Sequence, residues 1–253
     1  MGDSGYTHGR VVWRELMTRD AAKARAFYAA LFGWTYEELD AGPSGPYTRI
    51  RVGGKAMGGL WKLPPDSPAT SLWMSYVSVP DVDAAARQAA ELGGKVVRGP
   101  VELPGLGRCA VLNDFSGAVI GVVRTLAGDP PLEPPKPGEF CWESLGTPGM
   151  EKAKVFYGKL FGWKTAKGPE GTVARFTTDG TAQGHVADLL ENKEYIPAWI
   201  PHVRVEKVGP LSDRVSELGG ELTALFSVAR TARIGIIQDP AGGQLSVYEP
   251  TSR

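Results

Sequence analysis

Residues 26–34 read AFYAALFGW, and residues 155–163 read VFYGKLFGW. Phe27 and Phe156 stand 129 positions apart, and Trp13 and Trp142 each precede their phenylalanine by 14. The repeat is therefore longer than one helix. It opens as VVWREL in one copy and FCWESL in the other, both strand-like. It continues into an amphipathic helix on which Ala24, Phe27, Tyr28 and Leu31 share a face, matched by Ala153, Phe156 and Leu160. Gly33 ends the first helix as glycine does at the position after a helix end. YTRIRVGGKAMGGLWKL and TVARFTTDGTAQGHVADLL then read as glycine-punctuated strand pairs, with Gly59 opposite His185 and Met57 opposite Gln183.

A second pattern also occurs twice. Residues 72–94, LWMSYVSVPDVDAAARQAAELGG, resemble 198–220, AWIPHVRVEKVGPLSDRVSELGG. Each reads as a strand and a helix closed by ELGG, followed by strands. NDFSG and QDPAGG read as hairpin turns. The chain thus parses into four β-α-β-β-β repeats, at about 10–63, 72–125, 139–190 and 198–249. LAGDPPLEPPKPGE between the second and third reads as a semi-extended linker. The expected organisation is an α+β chain of two cup-shaped, mixed-sheet domains with helices outside: 1–127, a linker at 128–136, and 137–253. Two pairings of the repeats are open, within each half or across the halves.

Composition narrows the function. Lys+Arg and Asp+Glu both number 28 in 253 residues, so no global field draws the chain to nucleic acid or an anionic membrane. No apolar run approaches a membrane span. The N-terminus, MGDSGYTHGR, has no apolar signal core, which leads us to expect a cytoplasmic protein. Cys109 and Cys141 sit in apolar strand-like runs and read as free thiols. No CxxC, GxSxG, P-loop or HExxH is present.

The β-α-β-β-β unit with AxxFYxxLFGW closing its helix, the VxDVDAAxxxAxELGG-like run and the DPxG turn resemble the vicinal oxygen chelate superfamily. That superfamily includes glyoxalases, extradiol dioxygenases and bleomycin- or fosfomycin-resistance proteins. The tandem arrangement looks like its bacterial two-domain, four-repeat, glyoxalase-like branch. In metal-dependent members, His, Gln or Glu donors come from the first and last strands of paired repeats. The resemblance puts those slots at Trp13, Met74, Gly121 and Met57–Gly59 in one half, and at Trp142, Ile200, Ser246 and Gln183–His185 in the other. These residues make no metal site at the inherited positions, and no cofactor is expected; a divalent metal would have to use His185 and His202.

Side chains two apart along a strand share a face. Glu15 therefore joins Trp13, Tyr76 joins Met74, and His202 joins Ile200. Mixed aromatic and polar faces suit a small-molecule pocket. The candidate ligand-binding set is Trp13, Glu15, Met57, Met74, Tyr76, Trp142, Gln183, His185, His202 and Ser246, with Glu15 and His202 as candidate acid–base groups. Each has a plainer alternative. Trp13 and Trp142 can fill the cup as core, Glu15 can pair with Arg49 or Arg108, and the two histidines can be unrelated. The expected partner is a small, partly aromatic or hydrophobic molecule, bound by a monomer or homodimer. The alternative function is a metal-dependent glyoxalase or dioxygenase using His185 and His202.

Overall fold

The computed structural model describes residues 5–42, 45–67, 69–103, 107–167, 173–178, 181–188, 196–228 and 232–251; at 167, 173, 174, 182, 183 and 185–188 it describes the backbone alone. The four repeats are present in the expected order. The first holds β1 (Val11–Thr18), α1 (Ala21–Phe32), β2 (Thr35–Asp40), β3 (Pro46–Val52) and β4 (Lys55–Lys62). The second holds β5 (Leu72–Ser78), α2 (Val82–Glu91), β6 (Lys95–Leu103), β7 (Gly107–Asn113) and β8 (Val119–Thr125). The third holds β9 (Phe140–Thr147), α3 (Met150–Phe161), β10 (Lys164–Lys167), β11 (Val173–Thr178) and β12 (Thr181–Asp188). The fourth holds β13 (Ala198–Arg204), α4 (Gly209–Glu217), β14 (Glu221–Val228), β15 (Ala232–Gln238) and β16 (Gln244–Pro250).

Local chemistry sets the helix ends. The Asp20 carboxylate accepts from the Lys23 amide at 3.0 Å and starts α1; the Asp81 carboxylate accepts from Ala84 at 2.9 Å and starts α2. Gly33 (φ 72°) and Gly162 (φ 67°) stop α1 and α3 in the left-handed region, where a side chain would be strained. The two FGW motifs are therefore stop signals followed by an anchoring tryptophan. Trp34 Nε1 donates to Gly138 O at 2.8 Å, and Trp163 Nε1 to Gly9 O at 2.5 Å.

The chain divides into two compact units, and each draws on both halves of the sequence. One comprises 13–74, 133–142 and 200–253 and contains α1 and α4; the other comprises 1–12, 75–132 and 143–199 and contains α2 and α3. The division at 128–136 counts repeats along the chain, whereas the compact units count neighbours in space. The repeats thus combine as first with fourth and second with third, so the open choice of pairing resolves across the halves for the helix-packed cores.

In the α1/α4 unit the strands run β2-β3-β4-β1 and β13-β16-β15-β14. β1 is parallel to β4 and β13 to β16, with antiparallel pairing elsewhere. Its core joins Leu16, Phe27, Tyr28, Trp34, Ile50 and Leu60 to Val203, Val215, Ile237 and Leu245. In the α2/α3 unit the orders are β5-β8-β7-β6 and β10-β11-β12-β9. There Ala86, Leu112 and Ile120 pack with Phe156, Tyr157, Leu160 and Trp199.

Each core is centred on the tyrosine of its FY motif. The Tyr28 hydroxyl accepts from Trp73 Nε1 at 2.9 Å and donates to Asp239 at 3.0 Å. The Tyr157 hydroxyl accepts from Trp199 Nε1 at 2.8 Å and donates to Asp114 at 2.9 Å. Both aspartates belong to the turns recognised in the sequence. Asp114 also holds the amides of Ser116 and Ala118, and Asp239 those of Ala241 and Gly243. A buried phenol needs a donor and an acceptor, and each helix obtains them from two other repeats.

Candidate functional site

β1 separates its side chains by parity. Leu16 turns to the α1/α4 core, while Trp13 and Glu15 lie outside that core cluster. On β3, Ile50 and Val52 join the core and Tyr47 does not; on β4, Leu60 joins it and Trp61 does not. The face opposite the helices therefore carries Trp13, Glu15, Tyr47 and Trp61. Glu15, Tyr47 and Trp61 are all less than a tenth exposed, and Trp13 is half-buried.

These groups are hydrogen-bonded in sequence. Trp13 Nε1 donates to the Tyr47 hydroxyl at 2.9 Å, and the Tyr47 hydroxyl is hydrogen-bonded to Glu15. The Tyr47 ring also rests on Trp61, with centroids 4.8 Å apart. Burial first, then the Glu15 charge, hold the phenol well above its ordinary value of 10.0, so it keeps its proton.

Strand register explains why Tyr47 reaches so far. Glu15 pairs with Gly59, Gly59 with Arg49, and Arg49 with Glu37, a row running across β1, β4, β3 and β2. Gly59 leaves a gap in that row. A methyl group added there would fall on the Tyr47 phenol, so tyrosine fills the space glycine vacates. Arg49 contacts Glu37 at 3.5 Å, and Arg108 binds Asp83 at 2.5 and 2.8 Å. Sequence reasoning missed Tyr47. Its signal was the two-residue alternation of PYTRIRV beside a glycine on the neighbouring strand.

In the α2/α3 unit the pairing repeats with other residues. Tyr76 pairs with Gly121 and its ring covers the space of the absent side chain. His185 pairs with Ser144. Glu143 is fully buried and accepts from Ser75 Oγ at 2.5 Å. In the α1/α4 unit, His202 pairs with Ser246, and both are buried. Cys141 Sγ lies 3.5 Å from His202 O; both cysteines are free thiols.

The predicted site residues are distributed between the units. Trp13, Glu15, Met57, Met74, Trp142, His202 and Ser246 belong to the α1/α4 unit; Tyr76, Gln183 and His185 belong to the other. Met57 packs against the helix-side core, and Met74 is buried. Trp142 is half-buried. The side chains of Gln183 and His185 lie outside the described residues.

A divalent ion needs three or four nitrogen or oxygen donors converging at about 2.0–2.2 Å. Among the described residues, no three His, Cys, Asp or Glu side chains are grouped to hold one. An indole and a phenol crowd the β1/β4 slot, which offers Glu15 as its charged donor. Also among the described residues, no helix is long and apolar enough to cross a membrane.

Residues 10–122 match the family described as the Glyoxalase/Bleomycin resistance protein/Dioxygenase superfamily. The match spans the first two repeats, a little under half of the chain. It is 27% identical over 263 aligned positions to the anthracycline biosynthesis protein DnrV of Streptomyces peucetius, covering 96% of this chain and 94% of that protein. It is 35% identical over 116 positions to the putative glyoxylase CFP32 of Mycobacterium tuberculosis, covering 46% of this chain and 44% of that one. The Mn(II)-bound glyoxalase of Novosphingobium aromaticivorans shares the fold with a TM-score of 0.65 at 14% identity, over 97% of this chain and 83% of that one.

Proposed function

We propose that this protein binds a small, planar, partly aromatic molecule on the Trp13–Tyr47–Glu15 face, without a chelated metal. The carrying observation is the Trp13–Tyr47 hydrogen bond beside Gly59, which puts aromatic groups at the β1/β4 position where metal-dependent relatives are expected to place donors. A half-buried indole supplies a stacking wall, and the neighbouring phenol and carboxylate supply orientation. Similarity to a protein named for anthracycline biosynthesis agrees with a fused-ring aromatic ligand. Met74, Trp142, His202 and Ser246 are further candidates in the same unit, and Tyr76 is a separate candidate in the other.

The test combines elemental mass spectrometry with tryptophan-fluorescence titration against an anthraquinone series. The expected result is metal at trace level, saturable quenching, and weaker binding by Trp13→Ala with its circular dichroism preserved. Near one equivalent of transition metal, lost in His202→Ala, would replace this reading. The protein would then be a divalent-metal enzyme drawing on His202, as the likeness to the Mn(II)-bound glyoxalase suggests.

A further inference from the structure

We propose that Arg49 recognises a carboxylate on the bound ring system, so that the ligand is an acidic aromatic molecule. This inference rests on the binding reading above and names the class of its ligand. Strand parity fixes the side of the sheet. On β3, Ile50 and Val52 enter the core, and Tyr47, Arg49 and Arg51 alternate with them on the opposite face. Arg49 stands two residues from Tyr47, whose hydroxyl meets the Trp13 indole, and across Gly59 from Glu15. It therefore belongs to the face that carries the indole.

The surroundings leave this guanidinium with binding capacity to spare. It has five N–H donors, and one of its nitrogens contacts Glu37 Oε2 at 3.5 Å, the outer limit of a hydrogen bond. Arg51 holds that same oxygen more closely, at 2.8 Å through Nε and 2.7 Å through Nη2. Glu37 thus has its counter-charge in Arg51, which also donates to Gly54 O at 2.9 Å. The Arg49 side chain is 23% exposed, whereas Tyr47 and Glu15 are buried. Solvent, and hence a ligand, reaches Arg49 without rearrangement. A carboxylate matches two parallel N–H groups of the guanidinium fork, which a neutral amide does less well and an ammonium group does not do at all.

The experiment titrates the full chain at neutral pH with three anthraquinones that carry a carboxylate, a primary carboxamide or an aminomethyl group at the same ring position. They share the ring system and its carbonyls and differ in the charge at one edge. The expected result is binding of the carboxylate on the order of tenfold tighter than the carboxamide, with the ammonium probe weakest. That preference should shrink with added salt, because the guanidinium is partly exposed. Arg49→Gln should abolish the preference for carboxylate over carboxamide, and Arg49→Lys should keep part of it, since the charge remains and the fork does not. Equal affinity for carboxylate and carboxamide would overturn the inference while leaving the binding reading intact. So would tightest binding of the ammonium probe, which would mean that Glu15 and Glu37 set the field, or a carboxylate preference that survives in Arg49→Gln. If none of the three binds, the binding reading fails and this inference with it. Should Arg49→Gln not fold, the ranking of the probes in the unaltered chain still decides.

Discussion

Tyr28 and Asp239, 211 positions apart in the chain, share a hydrogen bond of 3.0 Å inside the α1/α4 core. Tyr157 and Asp114 repeat it at 2.9 Å in the other unit. Removing either hydroxyl leaves an indole donor and a carboxylate short of a partner in a dry core. Tyr28→Phe and Tyr157→Phe should each cost about 1–3 kcal/mol, read as a lowered denaturant midpoint at unchanged slope. A loss in one variant and none in the other would show that the two networks are not energetic equivalents.

Gly59 and Tyr47 should be strongly coupled. Gly59→Ala puts a methyl group on the phenol and should destabilise the protein by about 1–3 kcal/mol. Tyr47→Val should recover part of that loss in the double variant. A double-mutant cycle by chemical denaturation measures the coupling, and simple additivity would contradict the packing described.

Glu249 gives the acid limb of stability a named contributor. Its buried carboxylate accepts from the Val208 amide at 2.9 Å and from Lys207 at 3.1 Å. The Val208 bond first, then Lys207, lower its ionisation below the ordinary 4.5. A lowered acid contributes stability that is fully present above the unfolded value of 4.5 and fades as pH falls through the folded one. Glu249→Gln should flatten the stability profile below that pH and change little of its shape above it. Urea midpoints measured across the range supply the test.

Trp163 fastens the N-terminal arm. Its Nε1 donates to Gly9 O at 2.5 Å, and the Gly9 amide donates to Ser78 O at 2.9 Å. In Trp163→Phe the first bond is lost, and amide exchange at Gly9 should accelerate while exchange in α2 stays unchanged. Acceleration spread evenly through the α2/α3 unit would mean the tryptophan supports the whole core instead.

The fold was legible because its signals are local and duplicated. The FGW stop, the ELGG stop and the two aspartate turns each act within a few residues, and each occurs twice. Trp73 and Trp199 link repeats as donors to Tyr28 and Tyr157. The site was half legible. Trp13 followed from the family resemblance and Glu15 from strand parity beside it, but Tyr47 depends on a glycine 12 positions later and on a register that no local pattern fixes. Glu143 escaped notice because its partner, Ser75, lies 68 positions away.

The interleaving of repeats has a consequence for how the chain comes into being. Everything up to the proline-rich stretch leaves the ribosome first, and it contains one repeat of each compact unit. Phe27 and Tyr28 are then made before Val203, Val215 and Leu245, which complete their core. A polypeptide severed between residues 128 and 136 would yield two fragments, each holding half of both cores. Separately they have apolar helix faces left uncovered; produced together in one cell, they are fitted to reassemble as a split protein.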